Sequence, residues 1–454
     1  MIKTLHLTNA WHETSGGIAT FYRALMDAAA RRQQPIRLIV PSEADRVEDY
    51  NEHARIYYVK ATPAPLNSRY RIIYPPAFLY PKSIVQGIIA TERPHLVEVC
   101  DKYNLNYLAA LLRLGMLADV SFRPVVVGLS CERMDDNVAT YLGVGKAGRM
   151  FSAWYMRWIY FPFFDHHIAI STRTADELRA VSDGHPVTRG VWVRPMGVDL
   201  RTFSAKRRSP VARQQLLSKI GETEDCRLLV YVGRLAPEKN LALLLETMKS
   251  LRSEPEKYAL LIAGEGMERA ALESAASSEL PGKVRFLGYI KDREALADLL
   301  ANSDVFLHSN PNEPFGIALL EAMASGLPLV APNSGGVTEF ADHSNAWLVP
   351  PTPESFALSV REIISEREVR EKKVQNALST AASFCWEQAA TAFLDLYQQI
   401  HAVANAELPL EQASPLFTSK PPNPVGRTIT ASAAILGKRS FSAYLKLHAQ
   451  FRDI

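Results

Sequence analysis

The chain has 454 residues, 47% hydrophobic and 22% charged, which suits a cored protein of two or three domains and excludes wholesale disorder. A formal net charge of +3 on so long a chain gives no global field, so no nucleic-acid partner is expected. Cys100, Cys131, Cys226 and Cys385 are scattered with no CxxC, which argues against a disulfide framework or structural zinc and for a reducing, cytoplasmic setting.

The N-terminus, MIKTLHLTNAWHE, reads as a first strand and not a signal peptide. No run of 18 apolar residues occurs, so no segment is expected to span a bilayer. Short apolar, β-branched runs follow at Thr4–Thr8, Ile36–Val40, Arg55–Val59, Leu96–Cys100, Val125–Ser130, His167–Ile170 and Val191–Arg194. A second series lies at Leu228–Val232, Ala259–Ala263, Val284–Leu287, Asp304–His308, Pro328–Ala331 and Ala346–Val349. Between them, segments such as Leu241–Arg252, Glu268–Ser277, Arg293–Ala301 and Gly316–Ala324 repeat apolar residues three or four apart. The alternation predicts an α/β class with parallel sheets covered on both faces. The Pro- and Arg-rich stretch Arg194–Arg213 reads as a linker between two Rossmann-like domains, residues 1–195 and 196–385, with a ligand cleft between their carboxyl ends. A helix at 386–404 follows, then a Pro-rich linker and a basic amphipathic tail over 405–454.

The densest motif is Glu313-Pro-Phe-Gly-Ile-Ala-Leu-Leu-Glu321-Ala-Met-Ala-Ser-Gly-Leu-Pro. It follows a strand and opens a helix near Gly316, so Phe315, Gly316 and Ile317 present backbone N–H groups suited to an anion or a polar sugar. Glu321 lies more than a turn into a helix that is apolar almost all round, so it is expected to be buried and to need polar partners. A second motif, Gly233-Arg234-Leu-Ala-Pro-Glu-Lys239-Asn240, follows the strand Leu228–Val232. A strand-end glycine with two cations five residues apart suits a diphosphate, although alone it reads equally well as a solvated loop.

The sequence resembles the retaining glycosyltransferases of family 4, whose GT-B architecture sets two Rossmann-like domains face to face. The family's Glu-x7-Glu signature is matched without gaps from Glu313 to Pro328. The resemblance implies that Glu313 meets hydroxyls of the donor hexose, Glu321 grips the nucleotide ribose, and Arg234 and Lys239 hold the diphosphate. It also implies that Gly16 and Gly17 let the N-terminal backbone approach the donor phosphate, that Gly264 and Leu287 border the base, and that the helix 386–404 packs back on the N-terminal domain. Glu313, Arg234 and Lys239 are thus the expected catalytic residues. Gly16, Gly17, Gly233, Gly264, Leu287, Phe315, Gly316, Ile317 and Glu321 are the expected donor contacts. On the acceptor side stand Asp101, Cys131, Glu132, Arg133 and Asp135. Many relatives carry His where this chain has Cys131, a departure that leaves the replacement for the imidazole open.

The implied reaction moves a mannose or glucose from a GDP-mannose- or UDP-glucose-type donor to a hydroxyl acceptor in glycolipid or polysaccharide synthesis. Retention is expected, the departing diphosphate taking the acceptor proton. No cofactor and no metal are expected, since Asp-x-Asp is absent. A rival dinucleotide fingerprint, Gly143-x-Gly145-x-x-Gly148 with Asp165 downstream, would suit an NAD(P)-dependent oxidoreductase but lacks a preceding strand. A non-catalytic nucleotide-sugar binder is the third alternative. His166-His167 reads as a core or loop pair and not as metal ligands.

Met150–Phe164 carries eight aromatic residues around Arg157. With the basic tail, it fits peripheral contact with the inner face of a membrane. The cost of exposing so many aromatic rings favours a core helix instead.

Overall fold

A computed structural model of the protein describes residues 1–12, 17–64, 67–142, 145–182, 190–252 and 257–407. The first series of apolar runs forms β1 (Thr4–Thr8), β2 (Ile36–Ser42), β4 (Ala54–Lys60), β7 (Leu96–Cys100), β8 (Val125–Ser130), β9 (His166–Ala169) and β10 (Val191–Val193). With the short antiparallel edge strand β3 (Arg46–Asp49), they make an eight-stranded sheet in the order β10-β9-β8-β7-β1-β2-β4-β3. Every residue of β1, β7 and β8 is buried, as strands covered by helices on both faces must be. A separate hairpin pairs β5 (Thr62–Ala64) with β6 (Asn67–Ile72). Neither β3 nor this hairpin was expected, because both are polar and short.

The second series forms β11 (Cys226–Val232), β12 (Lys257–Ala263), β13 (Val284–Gly288), β14 (Val305–Leu307), β15 (Leu329–Pro332) and β16 (Trp347–Val349), all parallel. Their order is β13-β12-β11-β14-β15-β16. In each sheet the order reverses at one strand pair, β1 with β7 and β11 with β14, and loops leaving such switch points form ligand crevices. The loops after β1, β7, β8, β11 and β14 carry most of the sequence-predicted site residues.

Arg194–Arg213 is not a plain solvated linker. Met196, Val198 and Phe203 are buried in a core cluster that runs through both halves. From Pro210 the chain is already helical, capped by the Ser209 hydroxyl, which accepts from Ala212 N. The chain returns beside its outward path: Val198 N donates to Phe384 O (2.8 Å), and Trp386 N to Val198 O (3.1 Å). A Cβ at Gly197 would lie 2.8 Å from Phe384 O, so only glycine lets the two crossings touch.

The helix Trp386–Glu407 then packs on the helix Gly17–Arg31 of the first sheet, with Phe393 against Phe21 (4.8 Å between ring centroids). Beneath it lies a wholly buried polar group. Glu98 on β7 accepts from Tyr22 (2.9 Å) and from Tyr397 and contacts His6 Nδ1 at 3.0 Å, while Thr4 Oγ1 meets His6 Nε2 (3.0 Å). Among the described residues no helix is long and apolar enough to cross a membrane. The basic tail lies outside the described residues beyond position 407.

Tyr397→Phe removes one donor from a buried carboxylate. It should lower stability by about 1–3 kcal/mol in urea unfolding. An unchanged midpoint would show that the tyrosine hydroxyl does not hold the last helix in place.

Candidate active site

The loop after β11 turns through Gly233 and Arg234 into a single helical turn, Pro237–Lys239, and Asn240 takes a left-handed φ of +52° to leave it. That turn aims Lys239 at the loop after β14. Lys239 Nζ donates to Glu313 Oε2 at 2.7 Å, with the two side chains only 15% and 12% exposed. Asn310 Nδ2 donates to the same oxygen (3.2 Å), and His308 Nε2 lies 3.3 Å from it. Burial pushes the Glu313 carboxyl up, but Lys239 and His308 outweigh it and hold the group well below the usual carboxylate range. Arg234 stands further out, half exposed and paired with Glu238 (2.7 Å).

Glu313 leads into the helix Ile317–Ala324, whose N-cap is Gly316 at φ +102° with no side-chain cap. The Phe315 ring is buried against Phe340 (5.4 Å), so only its backbone faces the loop. Across from this helix start is the start of the helix Gly17–Arg31. A Cβ on Gly17 would sit 3.0 Å from Ile317 Cδ1. Two helix N-termini therefore meet beside Arg234 and Lys239, an arrangement that favours a diphosphate-like anion. One turn into the second helix, the buried Glu321 accepts from Arg293 Nη2 (3.0 Å). Here burial raises the carboxyl pKa despite Arg293, the opposite outcome to Glu313.

On the other wall, Cys131 and Cys100 lie at the ends of β8 and β7 with their sulfurs 3.6 Å apart. That contact, with burial, pushes the Cys131 thiol far up, so it stays protonated. Glu132 accepts from Asn137 Nδ2 (2.9 Å), and burial raises its carboxyl pKa although Lys102 and Arg234 oppose this. Arg133 forms a two-pronged pair with Asp135 (2.9 and 2.7 Å). Asp101 is held within its own loop. Its carboxylate accepts from the backbone N–H groups of Tyr103, Asn104 and Leu105 and from Asn9 Nδ2, so it shapes the turn after β7. Lys102 is buried, donating to Glu132 O and Glu177 (both 2.5 Å), while Glu177 accepts from Met134 N and Asp135 N.

Sequence reasoning missed the contacts that join the walls. Ser171 Oγ donates to Pro314 O (2.6 Å), Thr172 N to Glu339 (2.6 Å), and Arg173 to both Asp136 and Asn312 (2.7 Å each). The Glu313 loop is thus gripped on either side by the start of the helix Thr172–Ser182. His12 was also missed. Its ring stands 3.8 Å from that of Tyr70, and burial together with the Arg234 charge lowers its pKa to about 4, leaving a neutral imidazole near the cations.

Gly264 serves sheet packing: its Cβ would fall 1.8 Å from Gly233 O, so the glycine joins β12 to the loop after β11. Leu287 is partly buried on β13. Gly16 and Gly143 lie outside the described residues. Gly145 and Gly148 belong to a helix, Gly145–Tyr155, that follows another helix, and Asp165 is spent on Arg113, Arg123 and Val126 N, so the dinucleotide reading has no strand–turn–helix context. His166 and His167 are buried in β9, with burial lowering the His167 pKa to about 3.

Family models match in two parts. Residues 16–193 fit the glycosyl transferase 4-like domain, and residues 212–380 fit the glycosyl transferases group 1 model. The chain is 31% identical over 399 residues to a GDP-mannose-dependent alpha-(1-6)-phosphatidylinositol dimannoside mannosyltransferase of Mycobacterium tuberculosis, covering 87% of this chain and 95% of that one. A GDP-mannose-dependent alpha-mannosyltransferase of Mycolicibacterium smegmatis is 28% identical over 332 residues, 70% of this chain and 76% of its own. Among solved structures, sucrose-phosphate synthase from Thermosynechococcus elongatus superposes with a TM-score of 0.69 at 22% identity, over 88% of this chain and 100% of that one. Anabaena HepE, in complex with UDP and glucose, gives 0.63 at 18% identity, over 90% and 100%. These likenesses bear out the α/β fold with two facing Rossmann-like domains.

Lys239→Ala would leave Glu313 buried without its nearest counter-charge and should cost about 3–5 kcal/mol of stability. The depressed Glu313 pKa stabilises the fold above the unfolded value, and this contribution is lost only as pH falls through the folded one. In the variant that folded value rises, so acid unfolding should begin at higher pH. Coincident acid-unfolding curves would remove Lys239 as the group that keeps Glu313 charged.

Proposed function

Because the chain belongs to the family 4 glycosyltransferases and is a nucleotide-sugar-dependent hexosyltransferase, we propose that it moves mannose from GDP-mannose to a hydroxyl of a lipid-borne acceptor, with retention and without a metal ion. One observation carries the reading: Glu313 and Lys239 are paired where the two helix N-termini meet, and the charge of Arg234 acts on His12 and Glu132 of the facing wall. In this arrangement Glu313 receives sugar hydroxyls, and Arg234, Lys239 and the N–H groups at Gly17 and Ile317 receive the diphosphate. Glu321 and Arg293 accept the ribose side.

The choice of mannose and of a lipid acceptor draws on the activity for which the mycobacterial relative is named. Retention is supported by chemistry: GDP-mannose carries an α-linked sugar, and both mycobacterial relatives are named for alpha products. Glu313 is engaged by Lys239, Asn310 and His308, which suits it to orient a hydroxyl more than to attack carbon. The acceptor oxygen would then approach the face the diphosphate leaves, and a phosphate oxygen would take its proton while the cations stabilise the negative charge. Those cations supply the charge compensation that a metal gives elsewhere. The working place is the surface of the membrane that holds the acceptor lipid.

A donor panel read by nucleotide release should give GDP from GDP-mannose in preference to UDP from UDP-glucose. Binding without release would mark a non-catalytic binder. Glu313→Gln should chiefly lower kcat, whereas Glu321→Gln should chiefly raise the KM for donor. Arg234→Ala should cost about 2–4 kcal/mol in kcat/KM, the scale of one preorganised charge-stabilising group. EDTA should leave turnover unchanged, and a loss restored by Mg²⁺ or Mn²⁺ would overturn the metal-free mechanism. Burial raises the Glu321 pKa, so the donor KM should climb on the acid side above the ordinary carboxylate range, and this limb should vanish in Glu321→Gln.

A further inference from the structure

The aromatic segment expected to be a core helix is core on one side only. Tyr155, Met156, Ile159, Tyr160, Phe161 and Phe164 are buried. Met150, Phe151, Trp154 and Trp158 face outward, 74%, 51%, 43% and 55% exposed. Met150, Trp154 and Trp158 recur every four residues along the helix Gly145–Tyr155 and the π-turn Met156–Tyr160, so they share a face, and Phe151 borders it. Exposed bulky apolar groups so grouped mark an interaction surface.

We propose that this face docks on an anionic lipid bilayer. The proposal rests on the reading of the acceptor as a membrane lipid. Lys146 and Arg149 are exposed next to the rings, Arg157 is partly so, and residues 145–160 contain no acid. The nearest carboxylates on the preceding helix, Asp135 and Asp136, are neutralised by Arg133 and Arg173. Tryptophan with flanking cations is the chemistry of the headgroup level, where rings enter the acyl boundary and cations meet lipid phosphates.

The surface also lies in the right place. On the inner side of the same helix, Tyr155 OH donates to Lys102 O (3.0 Å), and Lys102 in turn holds Glu132 O. The acceptor-side loop is therefore separated from the exposed rings by roughly one helix diameter, about 10 Å. Docking on this face brings the cleft mouth to the bilayer, so an acceptor hydroxyl on a lipid headgroup reaches the site while its chains stay in the membrane.

The test is sedimentation of the full chain with vesicles of phosphatidylcholine containing phosphatidylglycerol, against pure phosphatidylcholine vesicles. The wild type should partition to the anionic vesicles at low salt. Trp154→Ser with Trp158→Ser should weaken this roughly tenfold or more, the scale of losing buried aromatic area. Lys146→Glu with Arg149→Glu should weaken it at low salt, and the difference should shrink as salt rises. Both variants should still release GDP from GDP-mannose in solution, which shows that they fold. Undiminished sedimentation of the tryptophan variant would overturn the proposal. So would a wild type that ignores anionic vesicles, or a variant whose only change is loss of self-association. Vesicle binding without GDP release would leave this surface standing and reject the proposed donor.

Discussion

The cleft depends on a carboxylate that stays charged where little water reaches it. Taking Glu313 out of solvent costs several kcal/mol in an uncompensated state, and Lys239, Asn310 and His308 together offset that cost. Each partner comes from a different place along the second sheet: the turn after β11, the loop after β14 and the end of β14 itself. Holding the carboxylate thus requires both strands of the switch point in register. Glu321 sits eight positions further on, yet its partner Arg293 does not overcome burial. One motif thereby carries a carboxyl held well below the usual range and another raised above it.

That charged centre is also where the two halves touch. The Ser171–Pro314, Thr172–Glu339 and Arg173–Asn312 bonds flank the Glu313 loop, while Gly17 meets Ile317 with no room for a larger residue to pass unnoticed. The contacts that join the two halves are thus the same ones that frame the Glu313 loop. Arg133, Asp135, Asp136 and Arg173 form a chain of paired charges from the loop after β8 to Asn312.

Local pattern made much of this legible. Strands such as Leu96–Cys100 and Val125–Ser130 are visible because both faces are buried, which leaves an uninterrupted apolar run. The helix bearing Glu321 announces itself by apolar residues all round one acid. What stayed hidden depends on contacts distant in sequence. Nothing near Asp101 says that its carboxylate closes a turn, and nothing near Phe203 says that a polar stretch buries a ring. Trp154 and Tyr155 are adjacent aromatic residues, yet one is outside and the other inside, where its hydroxyl meets the Lys102 carbonyl. His12 is kept neutral by its burial and, in second place, by the charge of Arg234, more than two hundred residues away.

The tie between Glu98 and Tyr397 spans 299 positions. During synthesis the first sheet leaves the ribosome long before the helix that completes it, and its Glu98, Tyr22 and Phe21 face has no cover until the second sheet has been made. The N-terminal half therefore cannot reach its final packing on its own. Its folding is bound to that of the whole chain, with the high contact order and slow final docking that such a connection imposes. A chain cut short before the helix Trp386–Glu407 would present that buried carboxylate and its aromatic neighbours to solvent, so the first sheet's cover is supplied only after the second sheet has been made.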